Sequence, residues 1–472
     1  MKTIDQKILT KTPRGLTTAL LVSMILICSC TDKKKNQKDS SAANDTVLTS
    51  EVRHPEWSKN AVIYEVNVRQ YTEEGTFEAF REHLPRLKEL GVDILWFMPI
   101  HPIGEKNKKG EMGSYYAVKD YLGVNPEFGT MEDFKAVVDE AHEMGMYVIL
   151  DWVANHTAWD NPLTKEHPDW YTKDSTGNFQ PPEEDWSDVI ELDYSVPEMR
   201  NYMIDALKFW VEEADIDGYR CDVAGMVPVQ FWNRSREALD SIKPVFMLAE
   251  ANEPILHKKA FDMTYAWDLH FLMNEVAQGN KNANDLNKKL KKEKDKYPKN
   301  GYRMMFTSNH DENSWKGTVY ERLGDGVETF AVLSHTLPGM PLIYSGQEAC
   351  MDKQLEFFEK DPIEWKECNM TELYKSLNKL KKENKALWNG EAGGEYQRIK
   401  TTDNKNVFAF IREKDDDKVF VVANLTDKPS DFSLKSEEHF GEYKEYFSEE
   451  EFTFNNENTE MKLEPWEYKV FQ

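Results

Sequence analysis

Between residues 61 and 345 the chain repeats one two-part pattern: a short run of apolar residues, then a longer stretch in which apolar positions recur every three or four places. The short runs have the length of buried strands, and the longer period is that of one helix face. Strand-like runs occupy residues 61–68, 92–99, 146–153, 217–222, 245–250, 261–267, 303–308 and 340–345, with helix-competent sequence between most of them, as at 76–90. Eight parallel strands joined by right-handed crossovers can close into a ring with no open sheet edge. The predicted fold class is therefore α/β, a (β/α)8 TIM barrel over residues 57–387.

Two stretches break the repeat. Between residues 156 and 191, Pro162, Pro168, Pro181 and Pro182 punctuate a segment rich in Trp, Asp and Thr. It has no helical period and reads as a short excursion from the loop after the third strand. After residue 387 the texture changes to short alternating segments such as 407–412, 418–423 and 467–471, which predicts a small antiparallel β domain over residues 388–472.

The first 56 residues follow a different logic. Lys2, Lys7, Lys11 and Arg14 precede an apolar run at 20–27, which is short for a bilayer span and fits a secretory signal over residues 1–29. The run ends Leu26-Ile27-Cys28-Ser29-Cys30, resembling a bacterial lipoprotein signal in which a small residue precedes the acylated cysteine. Cys30 is the lipidation candidate because Ser29 is small, whereas Ile27 before Cys28 is bulky. Residues 30–56 begin polar and lysine-rich and read as a disordered tether. The expectation is a lipid-anchored protein of the bacterial cell envelope.

Composition narrows the partners. The 472 residues are 40% apolar and 12% aromatic, enough for substantial cores, and the formal charge of −25 argues against a nucleic-acid partner, which would require clustered cations. Neutral ligands such as sugars remain compatible. Five cysteines, two of them in the leader, make no disulfide framework, and no disulfide on which the fold depends is expected.

Three acids stand out at the ends of strand-like runs: Asp222 in Gly218-Tyr219-Arg220-Cys221-Asp222, Glu250 in Leu248-Ala249-Glu250, and Asp311 in Asn309-His310-Asp311. In a β/α barrel the C-terminal strand ends converge on one face, so acids far apart in sequence can meet around one substrate. Such a trio suits cleavage of a glycosidic bond. Arg220 lies two residues before Asp222, hence on the same strand face, where it would keep that acid ionised.

These strings resemble the α-amylase family, glycoside hydrolase family 13, together with Gly91-Val-Asp-Ile-Leu-Trp-Phe-Met-Pro99, the stretch Tyr115 to Thr130, Asp151-Trp-Val-Ala-Asn-His156 and Gly339-Met-Pro-Leu-Ile-Tyr-Ser-Gly-Gln-Glu348. The resemblance implies a barrel, an excursion after its third strand and a C-terminal β-sandwich. It also implies a retaining hydrolase of α-glucans or malto-oligosaccharides. Asp222 is the implied nucleophile, Glu250 the acid that protonates the leaving oxygen, and Asp311 the carboxylate that favours a distorted, oxocarbenium-like sugar. His156 and His310 are implied hydroxyl donors, and Tyr116 a platform beneath the reacting sugar.

Simpler readings stand beside these. Asp151 and Asn155 are expected to orient their loop, and Asp120 to hydrogen-bond loop backbone. Of Trp152, Trp159, Trp170, Trp186 and Trp315, one or two are expected to line a cleft, because aromatics more often fill cores. After Asp222 comes Val223-Ala-Gly-Met226, where many starch-cleaving relatives carry Lys-His. No cofactor is required. Calcium is the one ion the resemblance suggests, through Asn155 and Glu191, but two ligands fall short of its usual six to eight. Two alternatives remain: a transglycosylase or branching-type enzyme using the same residues, and a catalytically inactive glycan-binding lipoprotein.

Overall fold

The structure is a computed structural model and describes residues 49–472; the signal segment, Cys30 and most of the tether lie outside the described residues. Eight strands close into a parallel barrel: β1 (Ile63–Val66), β2 (Ile94–Phe97), β3 (Tyr147–Trp152), β6 (Gly218–Cys221), β7 (Phe246–Ala249), β8 (Met263–Tyr265), β9 (Tyr302–Met305) and β10 (Met340–Tyr344). Around the ring the order is β1-β10-β9-β8-β7-β6-β3-β2, so β7 lies across the barrel from β1. All eight strand-like runs in the sequence contribute one barrel strand. The helical stretch at 76–90 is two helices, Phe77–Arg81 and Leu84–Leu90, the second with Pro85 in its first turn and Gly91 in the left-handed region at its end.

Strand alternation sorts each run into two cores. Ile63, Ile94, Trp96, Ile149, Phe246, Leu248, Met263, Tyr265, Met304 and Leu342 point into the barrel and fill it. Their neighbours Tyr64, Leu95, Phe97, Val148, Leu150, Tyr219 and Cys221 point outward and pack with the surrounding helices. Glu65, Asp151 and Arg220 fall on the inward phase at the C-terminal ends of β1, β3 and β6, and all three are fully buried. The register pairs Asp151 with Arg220 and Glu65 with Trp96, bringing these side chains into one polar layer above the apolar filling.

The excursion leaves and re-enters through a small antiparallel ladder, β4 (His156–Ala158) with β5 (Val189–Glu191), in which His156 pairs with Glu191. Beyond the barrel, β11 (Glu395–Ile399), β12 (Val407–Lys414), β13 (Asp417–Asn424) and β18 (Tyr468–Phe471) form an antiparallel sheet in the order β11-β12-β13-β18. Two further ladders pair β14 (Ser430–Ser433) with β17 (Glu460–Leu463), and β15 (Gly441–Lys444) with β16 (Glu451–Phe454). Residues from all three, among them Phe420, Phe432, Phe454, Leu463 and Phe471, share one core. Arg412 in β12 is buried, and its guanidinium donates to the carbonyls of Thr336, Leu337, Trp388 and Gly394, which ties this sheet to the helix Val327–Thr336 before β10.

One disulfide is present, although none on which the fold depends is expected from the sequence. Cys350 and Cys368 form a disulfide across a sequence separation of 18, closing the loop between β10 and the helix Asn369–Glu383. The sequence offered no spacing signal for it, since the two thiols meet only when the loop folds back over the barrel rim. Replacing both residues by serine should lower the unfolding free energy by ~2–4 kcal/mol, because the unfolded chain regains the freedom of that loop. Denaturant titration of the double variant against the parent checks this, and equal midpoints would show that the crosslink adds nothing.

Candidate active site

Arg220 is the centre of the polar layer. Its Nη1 lies 2.9 Å from Asp151 Oδ1 and 3.0 Å from Asp222 Oδ1, and its Nη2 lies 3.0 Å from Glu250 Oε2. Its Nε donates to the Tyr265 hydroxyl at 3.1 Å, and the guanidinium sits 5.0 Å from the Trp96 ring centre. A fully buried cation is costly unless anions and hydrogen bonds surround it, and three carboxylates do so here. Asp151 also accepts from the Trp96 indole and the Tyr116 hydroxyl, each at 3.1 Å. It therefore holds the arginine and its neighbours rather than only its own loop.

Each acid is aimed by local backbone. Asp222 follows β6, and its N–H donates to the Trp152 carbonyl at the end of β3. The next residue, Val223, has φ of 36°, in the left-handed region that a β-branched side chain avoids. That turn directs its N–H to Glu250 Oε2 at 2.8 Å, so backbone strain of ~1–3 kcal/mol accompanies a contact to a carboxylate of the cluster. Asp311 lies in the first turn of the helix His310–Lys316, which Asn309 caps by accepting from the Glu312 N–H at 2.8 Å. Its side chain is 36% exposed, against 10% for Asp222 and 14% for Glu250, so the site opens past Asp311.

His310 links that helix to β1 and the loop after β2. Nδ1 donates to Glu65 Oε1, Nε2 donates to the Tyr116 hydroxyl at 2.8 Å, and Asp311 Oδ2 lies 3.3 Å from Nε2. Burial opposes its charge, but Asp311 and Glu65 outweigh burial and raise its pKa to about 9. It is an imidazolium at neutral pH. Burial is also the largest influence on Asp222 and pushes its carboxyl well up; Arg220 pulls it back, and the nearby carboxylates of Glu250 and Asp151 raise it again. The expectation that Arg220 simply holds Asp222 ionised is therefore incomplete. Asp151 rises to about 6 for the same leading reason, desolvation.

The remaining sequence candidates divide. Tyr116 joins the cluster, its ring stacked on His310 at 5.4 Å, whereas Tyr115 is buried beneath the Arg69 guanidinium, 4.1 Å from its ring centre. His156 lies at the start of the excursion, its ring 5.5 Å from Trp186 and its Nδ1 3.3 Å from the Asn155 amide. Burial lowers it to about 3, so it is neutral and makes no ion pair with the acids. Trp152 is core, Trp170 is buried against His167, and Trp315 is 51% exposed. Asp120 accepts from the Leu122 N–H, a loop bond. Glu191 accepts from the Thr172 hydroxyl at 2.8 Å and pairs in register with His156, next to Asn155. Among the described residues no group of three or more His, Cys, Asp or Glu side chains is arranged to hold a metal.

Sequence reasoning passed over Glu65, Trp96, Tyr265 and Phe357. A charged residue on the inward phase of an apolar run was the available signal for Glu65. Phe357, in an irregular loop, carries no periodic signal; its ring is nearly parallel to Tyr116, with centres 6.2 Å apart.

Residues 35–420 match the family described as "Alpha amylase, catalytic domain", and residues 398–470 match "Maltogenic Amylase, C-terminal domain". Alpha-amylase 3 of Dictyoglomus thermophilum is 27% identical, over 81% of this chain and 88% of its own length. Neopullulanase 2 of Thermoactinomyces vulgaris is 28% identical, over 78% of this chain and 70% of its own. Among solved structures, the maltogenic alpha-amylase AmyB from Thermotoga neapolitana superposes with a TM-score of 0.81 and 31% identity, covering 88% of this chain and 99% of that one. With a family match spanning most of the barrel and a carboxylate cluster at its C-terminal face, the chain belongs to the alpha-amylase family and is a glycoside hydrolase acting on α-glucosidic bonds.

Proposed function

We propose that the enzyme cleaves α-glucans or malto-oligosaccharides by two displacements at the Arg220 cluster. Asp222 attacks the anomeric carbon as the bond to the leaving oxygen breaks, and Glu250 gives that oxygen its proton. Water then enters, loses a proton to Glu250 and displaces Asp222, so the configuration is retained. Asp311 holds hydroxyls of the reacting sugar and favours the oxocarbenium-like ring, and the His310 imidazolium donates to a sugar hydroxyl by exchanging its Nε2–H bond to Tyr116 for one to substrate. His156, neutral, donates from the excursion side, and Tyr116 forms one wall. The observation that carries this reading is the pair of contacts, both 3.0 Å, that set Asp222 and Glu250 on opposite nitrogens of one guanidinium. Kinship with a maltogenic alpha-amylase, a neopullulanase and a cyclomaltodextrinase supports short or cyclic α-glucans as substrates.

We also propose that the chain is exported and held at the cell envelope by lipid on Cys30. The basic residues 2–14, the apolar run 20–27 and the small Ser29 before Cys30 support this. The polar segment that follows would act as a spacer between membrane and barrel.

Three measurements test these readings. Asp222→Asn keeps shape but cannot attack, so turnover of maltoheptaose should fall by at least ~10³-fold while affinity stays within severalfold, read as released reducing ends beside calorimetric binding. Affinity falling as steeply as turnover would contradict the nucleophile assignment. Because Asp222 must be ionised to attack and its pKa is raised in the fold, activity is lost as pH falls through that raised value. The acid limb of kcat/KM should therefore lie above the ordinary aspartate value of ~3.9, and a limb at or below it would contradict the burial argument. Radiolabelled palmitate should enter the protein in its bacterial host and be lost in Cys30→Ala; retained label would refute the anchor.

A further inference from the structure

An irregular loop rises beside the site between β10 and the helix Asn369–Glu383, closed at its base by Cys350–Cys368. Its tip is held from two sides. The Gln70 side chain donates to the carbonyls of Glu356 and Glu359 at 3.0 and 2.8 Å, bracketing Phe357 and Phe358. Asn313, in the helix that carries His310 and Asp311, accepts from the Leu355 N–H at 2.9 Å and donates to the Lys353 carbonyl at 3.0 Å. Two further contacts tie the loop to the segment after β1: Lys360 donates to the Thr72 carbonyl at 3.0 Å, and the Trp365 indole donates to the Tyr71 carbonyl at 2.6 Å.

The loop presents a row of rings. Phe357 stands 6.2 Å from Tyr116 at 14° and 6.4 Å from His310. Trp315 continues the row 5.2 Å from Phe357 and is half exposed. Phe358 lies 5.8 Å from it as well, and the apolar face of a sugar stacks on such part-open rings as other apolar surface does.

Ring order says which side of the cleaved bond this row serves. Tyr116 follows β2 and Phe357 follows β10, the two strands that flank β1. Glu250 follows β7, across the barrel from β1. The proton donor marks the leaving-group side of the substrate. Phe357 therefore lies toward the opposite, non-reducing side, and Trp315, on the helix after β9, extends the row outward from it.

We propose that Phe357 and Trp315 are specificity-determining residues: a platform on the disulfide-closed loop that binds glucose units on the non-reducing side of the reacting sugar and makes the enzyme favour chains long enough to reach it. This rests on the proposed roles of Glu250 and Tyr116. The test uses maltotriose, and maltoheptaose labelled at its reducing end. In Phe357→Ala, kcat/KM for maltoheptaose relative to maltotriose should fall about fivefold to tenfold. Cuts should move toward the non-reducing end, so that labelled fragments lengthen. Trp315→Ala, at an exposed position, should shift both readouts in the same direction by less, and Phe357→Tyr should restore them. An equal loss at both lengths with unmoved cut positions would overturn the platform. Calorimetric affinities for the two sugars on the Asp222→Asn background read the platform without turnover: weaker heptaose binding alone supports it, and unchanged binding overturns it. An unmutated enzyme that cleaves neither sugar would instead refute the proposed chemistry.

Discussion

A single cation buried at the rim of the barrel organises everything around it. Arg220 cannot lose its charge, so its burial requires negative partners within hydrogen-bond reach, and the fold supplies them from three different strands: Asp151 from β3, Asp222 after β6 and Glu250 after β7. The reverse dependence is as strong. Three carboxylates packed this closely would repel one another without the guanidinium, and burial would then neutralise them. The site is thus a charge-balanced unit whose members cannot be understood singly. Asp151, which touches no leaving group in the proposed chemistry, is as necessary to its geometry as the two acids assigned to react.

The second cation, the His310 imidazolium, balances the other half. It bridges Glu65 on β1 with Asp311 on the helix after β9 and steadies the Tyr116 hydroxyl, which in turn reaches Asp151. A continuous chain of charged and hydrogen-bonded groups therefore runs around the inner rim. Below it the barrel is filled by apolar side chains, so the polar layer has water on one side only. That asymmetry explains the raised Asp222 and the exposed Asp311 within one small constellation.

The eight barrel strands were legible because most are short, predominantly apolar runs and helical segments separate most of them; Gly218–Cys221, with Arg220 in its middle, is the most polar of them. The three acids were legible because each ends such a run, and strand ends are where a barrel assembles its chemistry. What sequence could not show falls into two kinds. Alternation along the strand puts Glu65 and Asp151 on the inward phase, but that they meet His310 and Arg220 needed the register between strands. Phe357 and the Cys350–Cys368 crosslink lie in a loop without period, where proximity arises from long-range folding. Helices Phe77–Arg81 and Leu84–Leu90 look like one in the sequence because the apolar spacing runs on through Pro85, although a helix starts afresh there. The balance of charge at Asp222 was also beyond a reading by pairs, since it depends on burial and four neighbours together.

The excursion after β3 is entered and left through one short antiparallel ladder, with His156 and Glu191 side by side in register. A hairpin neck of this kind decouples what lies beyond it from what lies below. Glu191 is bonded on its other side to Thr172 and Gln180, so the part free to vary is the turn 174–178 beyond them: insertions or deletions there would change the tip of the excursion without disturbing the strand pair that fixes His156, and evolution can lengthen, shorten or replace that tip while the carboxylate cluster stays in place.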